Sequence, residues 1–172
     1  MGKYLLGIDI GTSSCKAALF DRNGKIVGQK TKDYSVFYPH PGWAEQNPED
    51  WWEAVCAAVR ALISDHQIHP DEIAGIGVDG QSWSAIAIDK GGNVLTNTPI
   101  WMDTRAEECC AELDKQIGRE AVFQVCGNPL MPSYTTPKVL WYQKHLPEVY
   151  QKADKILQSN SFIVYRLTGV IS

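Results

Sequence analysis

Apolar residues over positions 4–8 give way to Asp9, a glycine, three hydroxyls and Lys16, and apolar residues resume over 17–20. That pattern predicts a β-hairpin with a polar turn. Asp21-Arg22-Asn23-Gly24 carries the Asn-Gly turn signal, and a third strand is expected over 25–31. The period then changes from two to 3.6. Asn47 suits an N-cap, Pro48 the first helical position, and Glu49 and Asp50 the first turn. Trp52, Val55, Val59, Leu62 and Ile63 follow at helical spacing and are expected to face the core. Trp51 and Trp52 read as packing against the sheet, with a ligand box as the alternative.

Beyond Pro70 the apolar run 73–78 predicts a buried strand that ends at Asp79-Gly80-Gln81-Ser82-Trp83. Polar and aromatic residues at such a strand end commonly line the ligand crevice of an open α/β sheet. Residues 85–88 predict another strand, with Asp89-Lys90-Gly91-Gly92-Asn93 as its turn. Thr104 and Glu107 have capping-box spacing, which predicts a helix through Cys109 and Cys110 and leaves Asp103 and Arg105 free of that duty. Asp103 and Arg105 read equally well as a surface ion pair or as site residues. Thr136 and Pro137 are expected to start a helix carrying Val139, Leu140 and Trp141, with Pro147 closing it. A short strand over 155–157 and a helix over 161–167 ended by Gly169 complete the reading.

The first hairpin carries the clearest chemistry. Gly11 lets backbone come close to an anion, and the hydroxyls of Thr12, Ser13 and Ser14 can donate to phosphate oxygens. Asp9 offers the hard oxygens that Mg²⁺ or its waters prefer, and Lys16 offers a cation for phosphate charge. An ordinary polar turn is the plain alternative. The spacing does not fit G-x-x-x-x-G-K-[ST], and Gly7 with Gly11 does not fit G-x-G-x-x-G.

Composition narrows the setting. Hydrophobic residues are 44% and charged residues 21% of a 172-residue chain, close to globular averages and enough for a sizeable core. No apolar run approaches membrane-spanning length, and no signal peptide precedes the first strand. A net charge of −4 argues against nucleic acid or an anionic membrane as partner. Five cysteines without C-x-x-C or His pairing read as free thiols in a reducing, cytoplasmic setting, without structural zinc. The four histidines are scattered and read as surface or packing residues.

The hairpin resembles the first phosphate hairpin of the actin, sugar-kinase and Hsp70 group. Further anchors follow in order: Gly42-Trp43-Ala44-Glu45-Gln46-Asn47-Pro48, Trp51-Trp52, Gly80-Gln81, Trp101-Met102-Asp103-Thr104-Arg105, Thr136-Pro137-Lys138-Val139-Leu140-Trp141 and Arg166-Leu167-Thr168-Gly169. The set resembles the N-terminal part of the FGGY carbohydrate kinases, and xylulokinases most of all. That resemblance implies an α/β, actin-like (ribonuclease H-like) fold with a βββαβα core and mixed sheet, in a chain that covers only part of a first domain. It implies transfer of the ATP γ-phosphoryl group to a sugar or polyol hydroxyl with Mg²⁺, a pentulose such as xylulose being the expected acceptor. By match, Asp9 organises metal and phosphate, and Gly11, Thr12, Ser13, Ser14 and Lys16 border the ATP phosphates. Gln81, Ser82, Trp83, Asp103 and Arg105 fall on the acceptor side. Ser82-Trp83 stands where Met-His is common in xylulokinases, which puts D-xylulose itself in question. The general-base aspartate and the adenine-binding second domain have no counterpart among these residues, so the chain alone is expected to be inactive. A non-catalytic actin-like ATP-binding or regulatory module is the alternative, and a small interaction domain without nucleotide a weaker one. ATP and a small sugar are the expected partners, with homodimerisation of the full-length protein left open.

Overall fold

A computed structural model describes residues 2–171. The chain divides into two compact units: one of residues Met1–Val36, Asn47–Gln81 and Ser159–Ser172, the other of Phe37–Gln46 and Ser82–Gln158.

The first unit is built on a mixed four-stranded sheet. Strands β1 (Tyr4–Ile10), β2 (Ser14–Asp21) and β3 (Ile26–Asp33) form an antiparallel meander, and β5 (Ile73–Gly80) adds in parallel to β1. The order is β3-β2-β1-β5. Register pairs Leu6 with Leu19, Ile8 with Ala17 and Ile10 with Cys15, and all six are buried on one face. The period of two then places Gly7, Asp9, Lys16 and Ala18 on the opposite face. Gly24, at φ 81°, allows the β2–β3 turn, where the Asp21 carboxylate accepts from Asn23 and Lys25 N–H.

Helix α1 (Pro48–Asp65) packs across β2 and β3. Its start follows the expected chemistry: Asn47 accepts from Glu49 N–H, and Pro48 occupies the first turn. Its phase differs. Trp51, Ala54, Val55, Ala58 and Leu62 are buried, whereas Trp52, Val59 and Ile63 are only partly so. The helix is apolar around most of its surface from Trp51 to Val59, so the pattern left the facing side open. Trp52 instead lies 5.0 Å from the Arg166 guanidinium, which is paired with Glu49. Helix α6 (Ser159–Thr168) packs on β5 and ends at Gly169, φ 74°.

Strand β5 is not the buried strand that its apolar run predicts. None of its residues is buried, and Ile76 is 50% exposed. Its place at the sheet edge is the reason, since it pairs only with β1.

The second unit contains β4 (Glu45–Gln46) paired with β7 (Thr98–Pro99), and β6 (Ile86–Ile88) paired with β8 (Lys155–Leu157). Helices α2 (Glu107–Gln116), α3 (Arg119–Cys126), α4 (Thr135–His145) and α5 (Pro147–Lys152) complete it. Its core gathers Ala85, Ala87, Ala106, Cys109, Trp141, Tyr142 and Val149. The Thr104–Glu107 capping box does not form. Ala106 is the N-cap residue, and the Thr104 hydroxyl donates to Gly42 O. Helix α4 begins one residue before Thr136, with Tyr134 at the N-cap position. All five cysteines are unbridged. No helix among the described residues is long and apolar enough to cross a membrane.

Candidate active site

In the first unit, the hairpin turn is Gly11-Thr12-Ser13; Ser14 and Lys16 already belong to β2. The Gly11 N–H closes the turn on Ser14 O at 3.0 Å, so it is committed to the hairpin and not held open for an anion. The Gly11 carbonyl accepts from Tyr34 OH at 2.6 Å and from Gln81 Nε2 at 3.3 Å. Tyr34 N–H donates to Ser13 O, and Gln81 N–H to Ile10 O. The turn is thus fixed by β1, β2 and the ends of β3 and β5 before any ligand arrives. Burial pushes the Tyr34 phenol well above its ordinary pKa, with Cys15 and Asp9 adding to the rise. The phenol therefore keeps the proton it donates. Cys15 lies fully buried behind the turn, its thiol pushed up to about 11 by burial and by the Asp9 charge. It is no nucleophile at neutral pH.

Asp9 is exposed on the open face of the sheet. Its register partners are Lys16 on β2 and Asp79 on β5. A concavity of about 660 Å³ spreads over this face, floored by Gly7, Ala18 and Gly77 and bordered by Asp9, Lys16 and Asp79. Gly7 and Gly77 raise no side chain from the floor beside the carboxylates. Among the described residues no cluster of three or more His, Cys, Asp or Glu side chains gathers to hold a metal. The donor set on this face is the carboxylates of Asp9 and Asp79, hard oxygens of the kind that fit Mg²⁺ alongside waters and phosphate oxygens. Gly80 closes the strand where a Cβ would come within 2.6 Å of Ser159 Oγ, the hydroxyl that donates to Gln81 O.

In the second unit, Asp103 and Arg105 form a buried pair, not a surface one. Asp103 is fully buried, and the Arg105 side chain is 3% exposed. The Asp103 carboxylate accepts from Ala44 N–H at 2.7 Å, from Arg105 N–H at 3.0 Å and from Arg105 Nε. Arg105 Nη2 reaches Glu45 Oε2 at 2.8 Å, and the guanidinium lies 3.9 Å from the Trp43 ring centroid. The Arg105 charge is spent inside this network, whose satisfied bonds fix the register of the 42–46 and 98–105 segments.

Trp83 is 40% exposed, has φ 67°, and packs against Tyr134 with ring centroids 4.6 Å apart and the rings tilted at 44°. A non-glycine residue in the left-handed region is uncommon and marks a held conformation. Beneath it lies Lys138, 0% exposed, whose Nζ donates to Trp83 O and to Ile100 O, each at 2.8 Å. Burial lowers its pKa to about 7; Asp103 opposes the shift and Arg105 adds to it. A neutral amine carries two N–H donors, and two carbonyls meet them.

Residues 4–172 match the family described as the FGGY family of carbohydrate kinases, N-terminal domain. The chain belongs to the FGGY family. It is 36% identical over 164 residues to a xylulose kinase of Escherichia coli (strain K12), covering 95% of this chain and 33% of that protein. A glycerol kinase of Desulfitobacterium hafniense is 36% identical over 157 residues, 90% of this chain and 32% of its own length. The crystal structure of xylulose kinase from Rhodospirillum rubrum superposes with a TM-score of 0.90 at 29% identity, over 96% of this chain and 34% of that one. The chain thus spans about a third of the length of the FGGY proteins it matches. The α/β fold with a mixed sheet is the one these kinases share.

Of the residues singled out in the sequence, Asp9, Gly11, Thr12, Ser13, Ser14, Lys16 and Gln81 fall in the first unit, and Ser82, Trp83, Asp103 and Arg105 in the second. Tyr34, Tyr134 and the buried role of Lys138 were not foreseen. Tyr34 follows β3 with no motif around it. Lys138 offered one signal: a lysine within an apolar run beside Trp141.

Proposed function

We propose that the full-length protein carrying this chain transfers the γ-phosphoryl group of ATP to a hydroxyl of a sugar or polyol, with a pentulose such as xylulose as the leading acceptor. The observation that carries this reading is the Asp9 hairpin, a preorganised turn with an exposed carboxylate and hydroxyls, in a chain of the FGGY family. Phosphoryl transfer asks little covalent help of the protein and much positioning and charge neutralisation. Asp9 would hold Mg²⁺ or its waters, Mg²⁺ supplying charge neutralisation to the phosphates. Thr12, Ser13 and Ser14 donate to phosphate oxygens, and Lys16 balances their charge. On the acceptor side, Gln81, Ser82 and Trp83 make the contact surface. Asp103 and Arg105 serve it as the frame of the neighbouring segments, since their own polar atoms are engaged. The remaining cleft wall and the general base come from the rest of the full-length protein.

Asp9→Asn in that protein tests the reading. It keeps size and removes charge, so kcat should fall by about 10²–10³ while the fold survives, the scale for losing one electrostatic stabiliser. ADP release would be followed across a panel of pentuloses and polyols. Near-normal kcat in a folded Asp9→Asn enzyme removes the assigned role.

A further inference from the structure

Residues 82–85 run between β5 and β6 outside any strand. Their backbone groups are met by side chains. Trp83 N–H donates to Gln158 Oε1 at 3.2 Å, and Ala85 N–H to Thr98 Oγ1 at 3.0 Å. The three successive carbonyls of Trp83, Ser84 and Ala85 accept from Lys138 Nζ, Thr135 Oγ1 and Tyr142 OH at 2.8, 3.2 and 2.9 Å. Thr135, Lys138 and Tyr142 are spaced i, i+3 and i+7 along α4, which places them on one face of the helix. That face is a polar row that templates an irregular segment.

Lys138 also serves a second segment, through Ile100 O, and that carbonyl accepts in addition from Asp103 N–H at 3.0 Å. One amine therefore couples the Trp83 backbone to the Asp103 turn. Trp83 itself sits at φ 67° with its ring against Tyr134, a conformation that persists only where surroundings over-determine it. Lys138 is fully buried and cannot touch a ligand.

We infer that Lys138 is a positioning residue for acceptor selectivity, acting on Trp83 through its carbonyl and not through the substrate. The inference rests on the reading of Trp83 as an acceptor contact. Lys138→Met keeps the length and apolar stem of the side chain and deletes both donors. Trp83 is then released toward ordinary backbone angles, and its ring leaves Tyr134.

A double-mutant cycle in the full-length protein tests this, with Lys138→Met, Trp83→Ala and their combination assayed for acceptor KM, ATP KM and kcat. Lys138→Met should raise the acceptor KM roughly 10- to 100-fold, the scale for a displaced positioning group, and leave ATP KM within about twofold. In the Trp83→Ala background the same substitution should cost less than about a third of that factor. Should Lys138→Met fail to fold, Lys138→Gln carries the test, since its amide keeps two N–H donors on a shorter arm; a smaller acceptor-KM rise of the same kind, again lost in the Trp83→Ala background, is expected. If Trp83→Ala leaves acceptor KM unchanged, the Trp83 reading falls. If Trp83→Ala impairs the acceptor but the lysine substitution costs the same factor in both backgrounds, the positioning role alone is overturned. A uniform loss across acceptor and ATP also overturns it, as that is the signature of a structural lysine.

Discussion

At the residue scale, Trp83 shows how a departure from a family's common pattern becomes chemistry. Large aromatics are usually well buried, so packing under the sheet is the alternative to an acceptor contact for an indole at this strand end. Trp83 is 40% exposed, with its ring tilted at 44° to that of Tyr134. An indole presents an apolar face and a single N–H donor, where an imidazole presents a donor and an acceptor. As the proposed acceptor contact, it would favour acceptors with a C–H face to lay against the ring. Trp83→His in the full-length protein should therefore reorder ketoses and polyols by kcat/KM and leave ATP KM little altered. A fall by one common factor for every acceptor, with a lower melting temperature, would mean that Trp83 only packs. Gly80 makes the opposite point, that a residue can matter by having no side chain. A Cβ there would displace Ser159 Oγ from the Gln81 carbonyl.

At the scale of elements, what could be read from sequence depended on whether polarity marked the outside. The hairpin was legible because its alternation, its hydroxyl turn and the Asn-Gly turn after it agree with the observed register. The start of α1 was legible because Asn47 and Pro48 act locally. The facing side of α1 was not, because Trp51 and Trp52 are both large and apolar neighbours leave the phase undetermined. The two positions should separate cleanly on mutation. Trp51→Ala empties a fully buried site and should cost about 3–5 kcal/mol by denaturant unfolding. Trp52→Ala, at a partly buried site, removes packing on Arg166 and should cost about 1–2 kcal/mol. A larger loss at Trp52 than at Trp51 would place the core stripe where the sequence pattern put it. The polar row on α4 was illegible for the reverse reason: Thr135, Lys138 and Tyr142 point inward, and a pattern reading sends lysine to solvent. Asp103 and Arg105 were visible as a pair, but nothing local showed that Ala44, Glu45 and Trp43 would enclose them.

At the scale of the whole molecule, the buried lysine gives stability a pH signature. The Lys138 pKa is lowered to about 7 from 10.5, so the unfolded chain holds a proton that the folded chain has released between those values. Where the unfolded state binds more protons, stability rises with pH. The rise begins near pH 7 and would run to 10.5, with no slope from Lys138 outside that window. Cys15 and Cys110 act the other way above their ordinary value of 9.0, since burial pushes both up to about 11. The lysine signal is therefore cleanest between pH 7 and 9. Asp103 and Arg105 are the charged groups that face the same amine. Thermal unfolding of the full-length protein should show stability climbing from pH 7 toward pH 9, and the climb should be absent in Lys138→Met. Parallel profiles for the two proteins would show that Lys138 stays charged in the fold. In that case a third N–H would need an acceptor, and the match between two donors and the carbonyls of Trp83 and Ile100 would no longer account for its burial.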